Sequence, residues 1–170
     1  KSIDTRRMVL WGTSLSGGYV LELASQLKNI KAIIAQIPFV DGTESAKHYP
    51  LQFLPQALKI SSQDYMGGKV GLSPRTLPVI HPKKLCFLPT PDSYAGYLSI
   101  LNPDYYWSGE VPARVFFHLM RFRPIQNVRK ITVPTLFIAA KQDTFIPIEI
   151  SREAATNIAP FAQYHEWGMQ

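Results

Sequence analysis

Apolar positions fall into three patterns along the chain. Met8-Val9-Leu10-Trp11 is a short apolar run closed by Gly12, and Tyr19, Val20, Leu21, Leu23, Ala24 and Leu27 then recur at helical spacing. Ile30–Ile37 is a second apolar run, closed by Pro38. Near-continuous apolar strands around a helix of about ten residues predict a parallel βαβ unit with both sheet faces covered. The pattern returns at the other end. Thr132–Ala140 predicts a strand with Pro134 near its start, and Lys141–Thr144 a turn. Pro147–Asn157 predicts a helix with Pro147 near its first turn, and Phe161–Trp167 a last strand. Residues 42–130 lack a long period and are broken by prolines from Pro50 to Pro124. Leu51–Ile60 and Val111–Phe122 are predicted there as short helices. A structureless loop of that length is unusual in a compact domain, so this stretch predicts an inserted helical subdomain. The expected divisions are therefore 1–41 and 131–170 as core, with 42–130 inserted between them.

Composition narrows the class. The chain has 170 residues, 46% of them apolar and 18% charged, which excludes a disordered or collagen-like polymer. Cys86 is the lone cysteine, so neither an internal disulfide nor a cysteine-only metal cage can form. No apolar run has the length of a membrane span, and a cytoplasmic location is expected. The formal net charge is +6, concentrated in residues 69–130, which hold 9 basic and 3 acidic groups. A solvated basic face accounts for this, as does attraction of an anionic substrate or an acidic surface. No helix-turn-helix, zinc-finger or RNP-like pattern accompanies the charge, so a nucleic-acid partner is not expected. Lys1 stands seven residues before the first apolar run, and Gln170 follows the last one directly. Both ends lead to the expectation that the sequence is a piece of something longer.

The strongest chemical signal is Leu10-Trp11-Gly12-Thr13-Ser14-Leu15-Ser16-Gly17-Gly18, between a predicted strand and a predicted helix. A nucleophile elbow needs that context, with small residues two before and two after the serine. The following helix directs its N-terminus at the serine, and the amide after the serine, here that of Leu15, donates to an oxyanion. Two registers are open. Ser14 has Gly12 at −2 and the small Ser16 at +2, whereas Ser16 has Gly18 at +2 and Ser14 at −2. Ser14 fits better, because its glycine follows the strand directly. A phosphate loop is disfavoured, since neither a Gly-Lys-Ser/Thr triplet nor a Gly-x-Gly-x-x-Gly run is present.

At these residues the sequence resembles the α/β-hydrolase superfamily, in particular its dienelactone-hydrolase-like and acetyl-xylan-esterase or Xaa-Pro-peptidase-like serine hydrolases. Asp4–Ser14 is similar to their elbow strand, and Ala35-Gln36-Ile37-Pro38-Phe39-Val40-Asp41-Gly42 to the strand and loop after the elbow helix. Thr90-Pro91-Asp92 with Gly96-Tyr97 resembles part of their lid. Pro134–Ile138 with Asp143 and Pro147 resembles the strand and acid loop before the last helix. The resemblance implies an α/β-hydrolase fold, a doubly wound parallel sheet in three αβα layers, here its C-terminal portion with an inserted helical lid.

It also implies a serine hydrolase acting through an acyl-enzyme on a carboxylic ester or related acyl bond. The substrate would be a small molecule: an ester, lactone, thioester or acyl sugar. Ser14 would attack and Asp143 would orient a histidine base. Asp41, also directly after a strand, is the alternative acid. Family order puts the histidine just beyond the last strand, at or past Gln170; His165 lies inside that strand and is the weaker candidate. Arg114 is a candidate clamp for a substrate carboxylate. The resemblance implies no metal or organic cofactor. It implies roughly four earlier strands and a His-Gly oxyanion loop before Lys1, so this chain alone is expected to hydrolyse little. A non-catalytic binding module and an inactive truncated remnant are the rival readings. An unpaired first strand would leave a sheet edge open to homodimerisation.

Overall fold

The computed structural model describes residue 4 and residues 6–168. In chain order the elements are β1 (Met8–Thr13), α1 (Leu15–Gln26), β2 (Ile30–Gln36), α2 (Gly42–Lys47), α3 (Leu54–Lys69), β3 (Thr76–Pro78), α4 (Ser93–Ile100), β4 (Glu110–Pro112) and α5 (Val115–Arg121). Two 3₁₀ turns follow, Pro124–Gln126 and Val128–Lys130, then β5 (Thr135–Ala140), α6 (Ile148–Ile158) and β6 (Ala162–Trp167). The chain divides into two compact units, one running to Ala46 and resuming at Phe122, the other Lys47–Arg121. The expected divisions lay at 41/42 and 130/131. The 3₁₀ turns fall in the first unit because Pro124 and Val128 are buried there and the second turn packs on α1 and α6. Among the described residues no helix is long and apolar enough to cross a membrane.

The first unit is built on a four-stranded sheet in the order β1-β2-β5-β6, with every pairing parallel. Register aligns Gly12 with Ala35, Ala35 with Phe137 and Phe137 with Tyr164. Alternation then sorts the side chains by face. Ile33, Ala35, Phe137 and Ala139 are buried on the face that receives α1 and α6. Val9 and Trp11 lie on the other face and are exposed, as is Trp167. Within α1, Val20, Leu21 and Ala24 are buried, and within α6, Ala154, Ala155 and Ile158. Burying side chains as large as Leu21, Ile33 or Phe137 stabilises by about 1.5–3 kcal/mol each. Pro147 directly precedes the first turn of α6 as its cap residue.

The second unit pairs β3 with β4 antiparallel, Leu77 opposite Val111, beside the packed helices α3 and α5. Its core holds Tyr49, Ala57, Leu77, Leu85 and Ala113, with Phe53, Leu54, Ile60 and Phe116 against them. The ring of Tyr49 meets Phe116 edge-on at 5.1 Å, and its hydroxyl donates to the Cys86 carbonyl at 2.7 Å. The expected helix Val111–Phe122 is divided. Val111 and Pro112 belong to β4, and α5 begins only at Val115. Pro112 disfavours helix at the residue before it and lacks a donor of its own. The first predicted helix is displaced and longer, covering 54–69 instead of 51–60.

Asp64 ties this unit together. It is 1% exposed and accepts four N–H groups. Arg114 contributes a fork, Nε at 2.9 Å and Nη2 at 2.9 Å, and its own backbone N–H at 2.8 Å. The Arg75 N–H supplies the fourth, at 2.8 Å. The guanidinium lies where a side chain on Gly68 would stand. The Arg114 fork, joined by those amides and opposed by burial, holds the Asp64 carboxyl down at about 2 against an ordinary 3.8. A carboxyl lowered in the folded state contributes stability above its unfolded value and loses it as the pH falls through the folded one. The window here is about pH 4 to pH 2. Asp64→Ala is expected to destabilise the unit by about 3–5 kcal/mol in urea unfolding, because Arg114 is left without its partner. The variant's stability should also lose the part of its acid dependence that falls in that window.

Candidate active site

Ser14 occupies the joint between β1 and α1 with φ 53° and ψ −121°, a backbone conformation few non-glycine residues adopt. Its surroundings enforce it. The Ser14 N–H donates to the Gln36 carbonyl at 3.0 Å, which continues the β1–β2 pairing. Its carbonyl accepts from Gly18 at 3.1 Å and from Phe39 at 2.8 Å. A Cβ on Gly12 would overlap the Ser16 carbonyl, and one on Gly18 would overlap the Phe39 carbonyl. The two registers therefore differ in geometry. Strain falls on Ser14, whereas Ser16 is helical and its hydroxyl is engaged at Thr13, accepting from the N–H at 2.9 Å and donating to the carbonyl at 2.7 Å. Ser14 is exposed, and among the described residues its hydroxyl makes no hydrogen bond. Leu15 opens α1, so its N–H belongs to the first-turn donors that lack an intrahelical acceptor. No acidic residue lies in that turn to compensate the positive end of the helix.

Asp143 follows β5 at the same edge of the sheet, since Thr13, Gln36 and Ile138 share one level. Its Oδ1 accepts the N–H groups of Phe145 at 2.8 Å and Ile146 at 2.7 Å. Among the described residues nothing donates to Oδ2, which remains open as an acceptor. An aromatic group that the sequence did not single out joins the two loops. Phe39 stacks on Phe122 at 6.3 Å and meets Phe145 at 6.1 Å, while Tyr19 meets Phe122 at 4.7 Å. Phe39 thus touches the serine through its N–H and the acid loop through its ring. Ile37, at φ 45°, makes the turn that allows this, with its N–H on the Ile138 carbonyl at 2.6 Å. The available signal was an aromatic directly after an apolar strand and a proline.

Comparison with solved structures identifies the fold. The structure superimposes on the α/β hydrolase GrgF from Penicillium sp. sh18 with a TM-score of 0.73 and 16% identity, covering 95% of this chain and 55% of that one. The enol-lactonase from Burkholderia xenovorans LB400 matches with a TM-score of 0.60 and 18% identity, over 96% of this chain and 58% of that one. The chain has the α/β-hydrolase fold. No family model matches the sequence. Among curated proteins it is 30% identical over 157 residues to the quorum-quenching protein AidA of Acinetobacter baumannii (strain MDR-ZJ06), covering 91% of this chain and 51% of that protein. The chain spans about half the length of the curated relatives it matches.

Within this α/β-hydrolase fold the remaining expected site residues are placed as follows. Asp41, the alternative acid, is 2% exposed and heavily engaged. Arg123 donates to both its oxygens, at 2.8–3.1 Å, and the Thr43 and Glu44 amides donate to Oδ1. Burial pushes its carboxyl up, but Arg123 and the two amides outweigh this and hold it below its ordinary value. Its geometry is that of a pin between the loop after β2 and the returning chain. His165 is exposed in β6, level with Thr13 and three strands away. At about 4.8 Å per strand that is about 14 Å, beyond the reach of an imidazole. His48, His81 and His118 belong to the second unit, where His118 is exposed. Arg114 also belongs there, where its fork holds Asp64.

The strain at Ser14 is measurable. Glycine adopts this conformation without a Cβ clash, so Ser14→Gly is expected to be about 1 kcal/mol more stable than Ser14→Ala in denaturant unfolding. The same pair of changes at Ser16 should favour alanine, because Ser16 is helical.

Proposed function

We propose that the protein hydrolyses a carboxylic ester or a related acyl bond, such as a lactone, thioester or acyl sugar, through an acyl-enzyme on Ser14. The observation that carries the reading is the strained, exposed Ser14 at the N-terminus of α1. In this mechanism the Ser14 hydroxyl attacks the carbonyl carbon as a base removes its proton. The carbonyl oxygen becomes an oxyanion, towards which the Leu15 N–H donates and the α1 dipole contributes positive potential. Collapse expels the alcohol, and water then releases the acid and regenerates Ser14. Asp143 is the carboxylate that orients the base, by accepting an imidazole N–H at Oδ2. The likeness in fold to an enol-lactonase supports an ester-like bond as the point of attack.

A fluorophosphonate probe tests the nucleophile directly. Labelling of the protein that carries this sequence should map to the peptide containing Ser14. Ser14→Ala should abolish it, while Ser16→Ala should retain it. The reverse pattern would move the nucleophile to Ser16, and labelling indifferent to both changes would remove the hydrolase reading. Asp143→Asn is expected to lower kcat by about 10⁴, as loss of an orienting carboxylate does in serine triads. Retained activity in that variant would exclude Asp143 as the acid.

A further inference from the structure

We propose that the second unit carries its own binding site for a small organic anion, a carboxylate on an apolar body, in the pocket beside His81. The pocket has a volume of about 270 Å³, just below the range of about 300–1,000 Å³ for drug-sized ligands and so suited to a small one. Phe53, Tyr94 and four prolines supply its apolar walls, while His81, Lys83 and Lys84 supply polar hydrogens and positive charge. Among the described residues no carboxylate lines it, which decides the sign of the ligand. The charged cleft of the first unit is different. Acidic Asp41, Glu44 and Glu153 face Arg123 and Arg129, so its charges are already opposed.

The polar side of the pocket is held in place. His81 Nδ1 accepts the N–H groups of Lys83 at 3.0 Å and Lys84 at 2.8 Å. A nitrogen accepting two donors carries no proton, so Nε2 bears the ring hydrogen and is the donor. The two lysines follow in a turn that His81 itself closes, and both side chains are exposed. Buried Leu85 and Cys86 anchor the next two residues, and Tyr49 holds the Cys86 carbonyl. On the other wall Thr90 and Ser93 share a hydroxyl hydrogen bond beside Pro89 and Pro91. Proline restricts the unliganded loop, so little further ordering is required on binding. Residues 47–121 hold 8 Lys and Arg against 4 Asp and Glu, a field that also favours anions.

Calorimetric titration with sodium benzoate tests the site, with benzamide as the neutral isostere and inorganic phosphate as the anion without an apolar body. Benzoate should bind saturably with one site per chain, and benzamide and phosphate each about tenfold more weakly. The double change Lys83→Ala, Lys84→Ala should weaken benzoate about tenfold with the thermal melt unchanged. His81→Asn retains an acceptor for the two amides and removes the distal donor; it should weaken benzoate severalfold. Ser14→Ala should leave the titration unaltered, so the result stands apart from the hydrolase reading. Equal binding of benzamide, equal binding of phosphate, absence of saturation, or an unaffected double lysine variant would each overturn the proposal.

Discussion

The backbone of Ser14 is bent into a region that side-chain-bearing residues avoid, and the first unit is arranged to hold it there. β1 delivers the residue in register with β2, so its N–H meets Gln36. α1 begins one residue later and takes its carbonyl through Gly18. The loop after β2 supplies the third bond, from Phe39, only because Ile37 makes a left-handed turn. Such strain amounts to about 1–3 kcal/mol and persists only where the surroundings over-determine it. Parallel pairing, helix start and glycine contacts all converge on this residue. An exposed hydroxyl ahead of a helix N-terminus is their product.

Each unit also contains one buried carboxylate gripped by an arginine fork and backbone amides. Asp41 with Arg123 links two segments separated by 82 residues in the first unit. Asp64 with Arg114 links two segments separated by 50 in the second. The Thr43 and Glu44 amides lie at a helix start and the Arg114 amide in the turn before α5, where backbone donors would otherwise be unsatisfied, while the Arg75 amide directly precedes β3. Removing one member of such a pair leaves a buried charge, so the pairs act as locks whose loss is far more costly than their net worth.

The core elements were legible because apolar strands and an amphipathic helix repeat at fixed periods. β1, α1, β2, β5, α6 and β6 all fall within a few residues of their expected places. The middle of the chain was not legible in the same way. α4 lacks a buried residue, so no apolar stripe marks it, and β3 and β4 span three residues each. Val111–Phe122 predicts one helix because most of its residues are apolar, Arg114, His118 and Arg121 apart, but Pro112 breaks it. Arg114 illustrates the limit for sites. Its partner, Asp64, lies 50 residues away, beyond the range of any local pattern.

Ser14, Leu15 and Asp143 were named from sequence alone, since a glycine-flanked serine after a strand and an aspartate after another need only local pattern and resemblance. Local pattern leaves both Ser14 and Ser16 open; in the folded chain the backbone strain lies on Ser14 and the Ser16 hydroxyl is engaged at Thr13. The aromatic bridge through Phe39, Phe122 and Phe145 and the engagement of Asp41 by Arg123 belong to tertiary structure as well. The physical reason is range. Periodicity and turn chemistry act over a few residues and are written in the sequence directly. An ion pair or a ring stack depends on which distant segments the sheet brings to one edge, and only the folded chain specifies that.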